Sequence, residues 1–292
     1  MPSLKEVKGR IVSVSSTQQI TKAMKMVAAA KLRRSQERIM QMRPFAQKLN
    51  YLLQNLSAAG SDDLDWYNTQ REEKKILIVA ICADRGLSGA FNSNIFKTTT
   101  RLIQDKYNDQ LQKGNVTVLP IGRKANDFFG KRNYKVIDKY WNLFPGLSFE
   151  KVSVVVEFLM DVFKKGEFDK IEIVYNEFKN VATQILRTEQ FLPVPPAEQK
   201  EGYTEIDYIY EPSREEILSG LIPKSLKVQL YKAVLDSDAA FNGAQMTAMD
   251  KATENAGDLL KELKLTYNRT RQAAITKEIL EIVAGAEALK SA

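Results

Sequence analysis

The chain has no histidine and one cysteine, Cys82. Without an imidazole it cannot assemble a Ser-His-Asp or Cys-His centre, and a zinc or iron site would rest on one thiolate and carboxylates. A single thiol excludes an internal disulfide and a dithiol switch, and it fits a reducing compartment. No stretch approaches the roughly 18 uncharged apolar residues of a membrane-spanning helix, and residues 1–10 lack the apolar core of a signal peptide. The common hydrolytic chemistries and a spanning role are thereby removed. The expected place is the cytoplasm, with any membrane reached only through partners.

What is present is a chain of 292 residues, enough for the core of one or two domains. Its 44% hydrophobic and 27% charged residues are those of an ordinary globular protein. The charge is placed unevenly. Residues 1–56 hold eleven Lys or Arg against two acids, Glu6 and Glu37, while the whole chain carries only +7. A basic segment of this kind calls for a negatively charged partner.

That segment has a coiled-coil pattern. Ile11, Val14, Gln18, Thr21, Lys25, Ala28, Leu32, Ser35, Ile39, Met42, Ala46, Leu49, Leu53 and Leu56 advance by alternating threes and fours without drifting to 3.6. Pro44 lies inside the pattern and predicts a kink. At the other terminus no proline follows Pro223, and Met249, Ala252, Ala256, Leu260, Leu263, Tyr267, Thr270 and Ala274 make a second seam. A helix from Lys224 onward would be about 100 Å long, more than a compact domain of this size covers. Termini that emerge together from one body predict two arms that pair antiparallel.

Between the arms the period changes. Residues 75–82 (KILIVAIC) form a continuous apolar run of the kind buried on both faces of a parallel sheet. Helix is then expected over 92–111, strand over 116–121, helix over 124–129, a weaker strand over 134–138, helix over 149–165 and strand over 170–176. From Val181 alternation predicts an antiparallel edge strand, stopped by Pro193, Pro195 and Pro196. A last strand is expected over 206–210, then a helical segment over 214–219 capped by Ser213. Gly220 and Pro223 are expected to break it before the long arm. The fold class is α/β, an antiparallel coiled coil of terminal helices plus a mostly parallel, Rossmann-like sheet domain. The expected divisions are a first arm over 1–58, a linker over 59–74, a sheet domain over 75–212 and a second arm over 213–292.

The loop after the first strand, from Ala83 to Asn92, lies where an α/β sheet binds ligands. As a nucleotide loop it fails the G-x-G-x-x-G spacing and lacks a G-K-[ST] ending. Gly86-Leu87-Ser88-Gly89-Ala90 has the outline of a nucleophile elbow, yet no histidine exists to activate Ser88. The expectation is a tight structural turn set by Asp84, Arg85, Gly86 and Gly89. No catalytic, cofactor-binding or metal-ligating residue is expected. A second distinctive stretch, residues 269–288 (RTRQAAITKEILEIVAGAEA), brings Arg271, Gln272, Thr276 and Glu278 within two turns, ahead of a smooth apolar end.

Three stretches carry a resemblance: residues 17–34 (TQQITKAMKMVAAAKLRR), 84–92 and 275–288. In their order and spacing over the whole chain they resemble the gamma-subunit family of F-type ATP synthases. The resemblance implies a noncatalytic central shaft inside a ring of three alpha and three beta subunits, with the sheet domain against the epsilon subunit and the membrane c-ring. It implies ring contacts at Met24, Lys25, Lys31, Arg33 and Arg34 on the first arm and at Arg271, Gln272, Thr276 and Glu278 on the second. It also implies a bacterial source and the cytoplasmic face of the plasma membrane. The chain departs from the family pattern at Phe241 and Gln245, where an acid and an arginine are usual, with Gly243 expected to add flexibility. Ser88 and Ala90 stand where Cys and Gly are usual. Two other readings remain: an enzyme built on the 84–92 loop, and a basic coiled-coil adaptor that binds nucleic acid. The first suffers from the missing histidine. The second lacks aromatic residues interleaved with the basic ones.

Overall fold

A computed structural model describes residues 3–57, 65–181, 183–195, 211 and 214–290. The chain divides into two compact units, residues 1–28 with 246–292, and residues 29–245. Two helices contribute to both: α1, Leu4–Ser57, and α7, Arg214–Lys290; the short α2, Asp65–Asn68, follows α1 in the larger unit.

The larger unit is built on a five-stranded sheet. Its strands are β1 (Ile76–Ile81), β2 (Val116–Ile121), β3 (Lys135–Val136), β4 (Lys170–Phe178) and β5 (Gln184–Leu192), in the order β3-β2-β1-β4-β5. Strands β1 to β4 are parallel, and β5 runs antiparallel to β4 at the edge. The apolar run of β1 is buried at every residue because helices cover both faces. On one face Ile76, Ile78, Ala80 and Val174 meet α3 (Phe91–Lys106) and α5 (Arg123–Gly130) through Ile95, Ile103, Ala125 and Phe129. On the other, Leu77, Val79, Ile171 and Ile173 pack with α6 (Phe149–Lys164) and with Leu226, Leu230 and Val234 of α7. Ser148 caps α6, accepting from the Lys151 N–H.

Several boundaries differ from the sequence reading. The helix expected over 92–111 is interrupted at Tyr107, a buried residue, and resumes as α4, Asn108–Gln112. The strand expected over 134–138 pairs as β3 at only two residues, after a turn in which Asn133 adopts φ +58°. The predicted break at Gly220 and Pro223 is absent, and α7 is continuous through both. Proline inside a helix costs about 3 kcal/mol. Here Leu218, Ile222, Leu226 and Leu230 bury the same face on both sides of it, and that packing outweighs the lost hydrogen bond. α1 is continuous through Pro44, as the seam pattern on both sides of it predicts. The strand expected over 206–210 and the Ser213 cap lie outside the described residues.

In the smaller unit α1 and α7 run antiparallel, for Lys25 meets Asp250 while Thr21 meets Thr253. Val7, Thr21 and Ala28 are buried from one side, Met249 and Ala256 from the other. The seam stops at Thr270, and Ala274 is exposed. The register explains this correction, because it brings Leu4, where α1 starts, level with the region of Thr270. Beyond it every described residue of α7 is exposed.

Candidate functional site

Three places hold the residues singled out by sequence, and the first is the turn after β1. Asp84 Oδ1 accepts from the Arg123 N–H at 2.9 Å. Asn92, at the start of α3, clamps the turn twice: its Oδ1 accepts from the Ala83 N–H at 3.1 Å and its Nδ2 donates to the Arg85 carbonyl at 3.0 Å. Arg85 thus contributes its backbone, and its side chain is exposed. Gly89 takes φ +59°, a left-handed conformation suited to glycine, and Leu87, two residues earlier, takes φ +64° and is 64% exposed. Gly86 has no neighbour that a β-carbon would meet.

Open α/β sheets hold ligands outside the carboxyl ends of their strands, where the strand order reverses. In this sheet that place lies between β1 and β4, and α7 crosses it. Phe241 meets Phe91 edge to face at 5.7 Å between centroids. A β-carbon on Gly243 would stand 3.4 Å from the Phe178 ring and 3.7 Å from Val181. Gly243 is buried, so it serves close approach of α7 to the end of β4 rather than the flexibility expected from sequence. Phe241, where the family pattern has an acid, is part of that closure.

Nucleophilic chemistry finds no support here. Ser88 is buried, its hydroxyl unpaired and without any base. Burial pushes the Cys82 thiol well above its ordinary range, which keeps it protonated and inert. Among the described residues no three His, Cys, Asp or Glu side chains are grouped to hold a metal ion.

The second place is α1, whose candidates fall in both units. In the smaller unit Met24 is half-buried, and Lys25 turns into the seam, its Nζ 2.5 Å from Asp250 Oδ1. The outward surface there is apolar instead, with Ile20, Met26 and Val27 all more than half exposed. In the larger unit Lys31, Arg33 and Arg34 are exposed, and Arg33 Nε lies 3.3 Å from Glu37 one turn on. Met40 is 70% exposed on the same helix. The sequence reading placed its candidates on Met24 and the cations and did not single out Ile20 or Met40, although these sit one or two positions after seam residues.

The third place is the end of α7. Arg271, Gln272, Thr276 and Glu278 are exposed, and Thr276 donates to the Gln272 carbonyl at 3.0 Å. Ile275, Ile279, Leu280, Ile282 and Val283 are exposed around them. Such a run of large apolar side chains in water marks a surface meant for another molecule. No described helix is long and apolar enough to cross a membrane.

Comparison with known proteins follows the same lines. The family model described as ATP synthase matches residues 3–289. The ATP synthase gamma chain of Cytophaga hutchinsonii is 57% identical over 295 residues, covering 100% of both chains. That of Flavobacterium johnsoniae is 54% identical, covering 99% of each, and that of Chloroherpeton thalassium 48% identical with the same coverage. Among solved structures, a chain of the Euglena gracilis mitochondrial ATP synthase assembly of OSCP, F1 and c-ring shares the fold with a TM-score of 0.69. It is 23% identical and covers 98% of this chain and 94% of its own. A chain from the central stalk and c-ring of the Tetrahymena thermophila enzyme gives 0.56 at 24% identity, covering 80% and 99%. With full-length relatives about half identical and the family model matched nearly end to end, the chain belongs to the ATP synthase gamma chain family.

Proposed function

We propose that this chain is the central rotor shaft of an ATP synthase, a noncatalytic subunit that couples rotation of a membrane ring to ATP synthesis or hydrolysis in a surrounding ring. The observation that carries this is the exposed apolar surface at the end of α7, Ile275 to Val283, on a helix whose described residues are all open to solvent there. A helix of that composition needs a sleeve around it.

The sleeve would be three alpha and three beta subunits, the latter holding the nucleotide sites. Arg271, Gln272, Thr276 and Glu278 meet it at the end of α7, and Met24, Lys25, Lys31, Arg33 and Arg34 meet it along α1. Excess positive charge on α1 suits an acidic face on the ring. Because the shaft is asymmetric, it makes different contacts with three otherwise equivalent sites at each angle, and so favours a different conformation in each. The sheet domain serves the epsilon subunit and the c-ring. The chain is peripheral, at the cytoplasmic face of a bacterial plasma membrane, and reaches it through these partners.

The test is to coexpress the chain with alpha and beta subunits from the same source, measure native mass and assay ATP hydrolysis. One copy per six-membered ring is expected, with turnover lost on deleting residues 275–292 or on charge reversal at Arg33 and Arg34. A chain that never joins the ring, and instead binds nucleic acid with a steep salt dependence, would overturn the reading.

A further inference from the structure

Three successive seam positions of α1, Gln18, Thr21 and Lys25, are polar, and each meets a polar group of α7. The Thr21 and Thr253 hydroxyls lie 2.8 Å apart. Each also has a carbonyl of its own helix in reach, Gln18 O at 3.0 Å and Met249 O at 2.7 Å. Whichever hydroxyl donates across the seam, the other can donate to its own backbone. Gln18 Nε2 points at the Thr253 carbonyl at 3.5 Å, and Lys25 pairs with Asp250. A β-carbon at Gly257 would come within 3.0 Å of Gln18 Nε2, so glycine lets the amide sit close.

Among the neighbouring seam residues are Ala28, Ala252 and Ala256, whose like shapes say little about which alignment is correct. A slide of α7 by one heptad keeps an apolar seam in place. It would, however, put Met246 or Leu260 where Thr253 stands, and Gly243 or Gly257 where Asp250 stands. Slipped either way, Thr21 faces an apolar side chain and Lys25 has no carboxylate.

We propose that Gln18, Thr21 and Lys25, with Thr253 and Asp250, form a register pin that selects one alignment of the two antiparallel helices. Polar residues at seam positions specify register at a cost in stability. Lys25 and Asp250 are both partly exposed, where an ion pair adds little adhesion. The pin therefore acts through what slipped alignments lack. It does not depend on the ring contacts proposed above.

The test uses full-length chain carrying cysteine pairs and mild oxidation. Val14→Cys with Leu260→Cys reports the observed alignment, since it lies one heptad from Thr21 and Thr253. Val14→Cys with Tyr267→Cys, and Val7→Cys with Leu260→Cys, report the two slipped ones. With the pin intact only the first pair should crosslink. Adding Thr21→Val, Thr253→Val, Lys25→Ala and Asp250→Ala should raise the slipped crosslinks at least tenfold, with helicity retained. Should that variant fail to fold, Lys25→Asp alone should release the slipped crosslinks, and the swap Lys25→Asp with Asp250→Lys should suppress them again. Unchanged crosslinking in these folded variants, or slipped crosslinks in the unaltered pin, would overturn the proposal.

Discussion

Tyr107 donates its hydroxyl to Glu172 Oε1 at 2.6 Å, across the interface between the end of α3 and the buried strand β4. The same oxygen takes Lys106 Nζ at 2.6 Å, and Lys170 Nζ lies 3.9 Å away. A carboxylate on a central strand is thus tolerated because cations and a phenol surround it. Tyr107→Phe removes one donor from a buried charge and is expected to cost about 1–3 kcal/mol, read as a lower thermal midpoint. Burial and the neighbouring Glu172 carboxylate both push the Tyr107 phenol upward. Spectroscopic titration should therefore show it ionising only with alkaline unfolding.

Asp236 on α7 is buried, one carboxyl oxygen has no partner, and its pKa is raised from 3.8 to about 6. Burial is the main cause; Lys232 and Arg43 oppose it, and Glu177 and Glu189 add to it. The folded state holds the proton more tightly than the unfolded chain, so stability is lost as pH rises from about 4 to about 6. That gap corresponds to about 3 kcal/mol. Asp236→Asn is expected to raise the unfolding midpoint at pH 8 and to lose most of its advantage by pH 4. Denaturant titrations at the two pH values check this.

Gly122 has φ +100°, and a β-carbon there would stand 2.2 Å from the Cys82 carbonyl oxygen, where β1 and β2 end side by side. Gly122→Ala should cost about 4 kcal/mol or more and abolish soluble expression. Gly86→Ala, four residues beyond Cys82 in an open part of the turn, should fall within about 0.5 kcal/mol of the parent. Parallel thermal melts separate the two.

Pro223 removes a donor from the interior of α7 without ending it. Pro223→Ala restores that hydrogen bond and is expected to stabilise the chain by about 1–3 kcal/mol, provided the flanking Ile222 and Leu226 keep their packing. A higher denaturant midpoint with an unchanged slope would be the signature.

The arms were legible because their seam spacing is unambiguous: Val14, Thr21, Ala28, Leu32, Ser35 and Ile39 are each buried or half-buried. The strands β1, β2 and β4 were legible as apolar runs of strand length. Pro223 misled because the local penalty is visible in sequence, whereas the burial of Leu218, Ile222 and Leu226 that offsets it is not. Lys25 was read with the outward cations although it sits in its own seam list, and its partner Asp250 lies 225 residues away. Asn92 was read as part of a turn, but the two backbone groups it clamps are set by folding. Gly243 looked like a loose point in a helix, and only the approach to Phe178 gives it a packing role.

The closing of the crevice between β1 and β4 by Phe241 and Gly243 has a thermodynamic meaning for the chain. A sheet of this strand order ordinarily gains stability when a small molecule occupies its crevice, so its stiffness follows the concentration of that molecule. With a helix of the same chain seated there, occupancy is permanent and intramolecular. The rigidity of the chain then stays the same whether small molecules around it are scarce or plentiful.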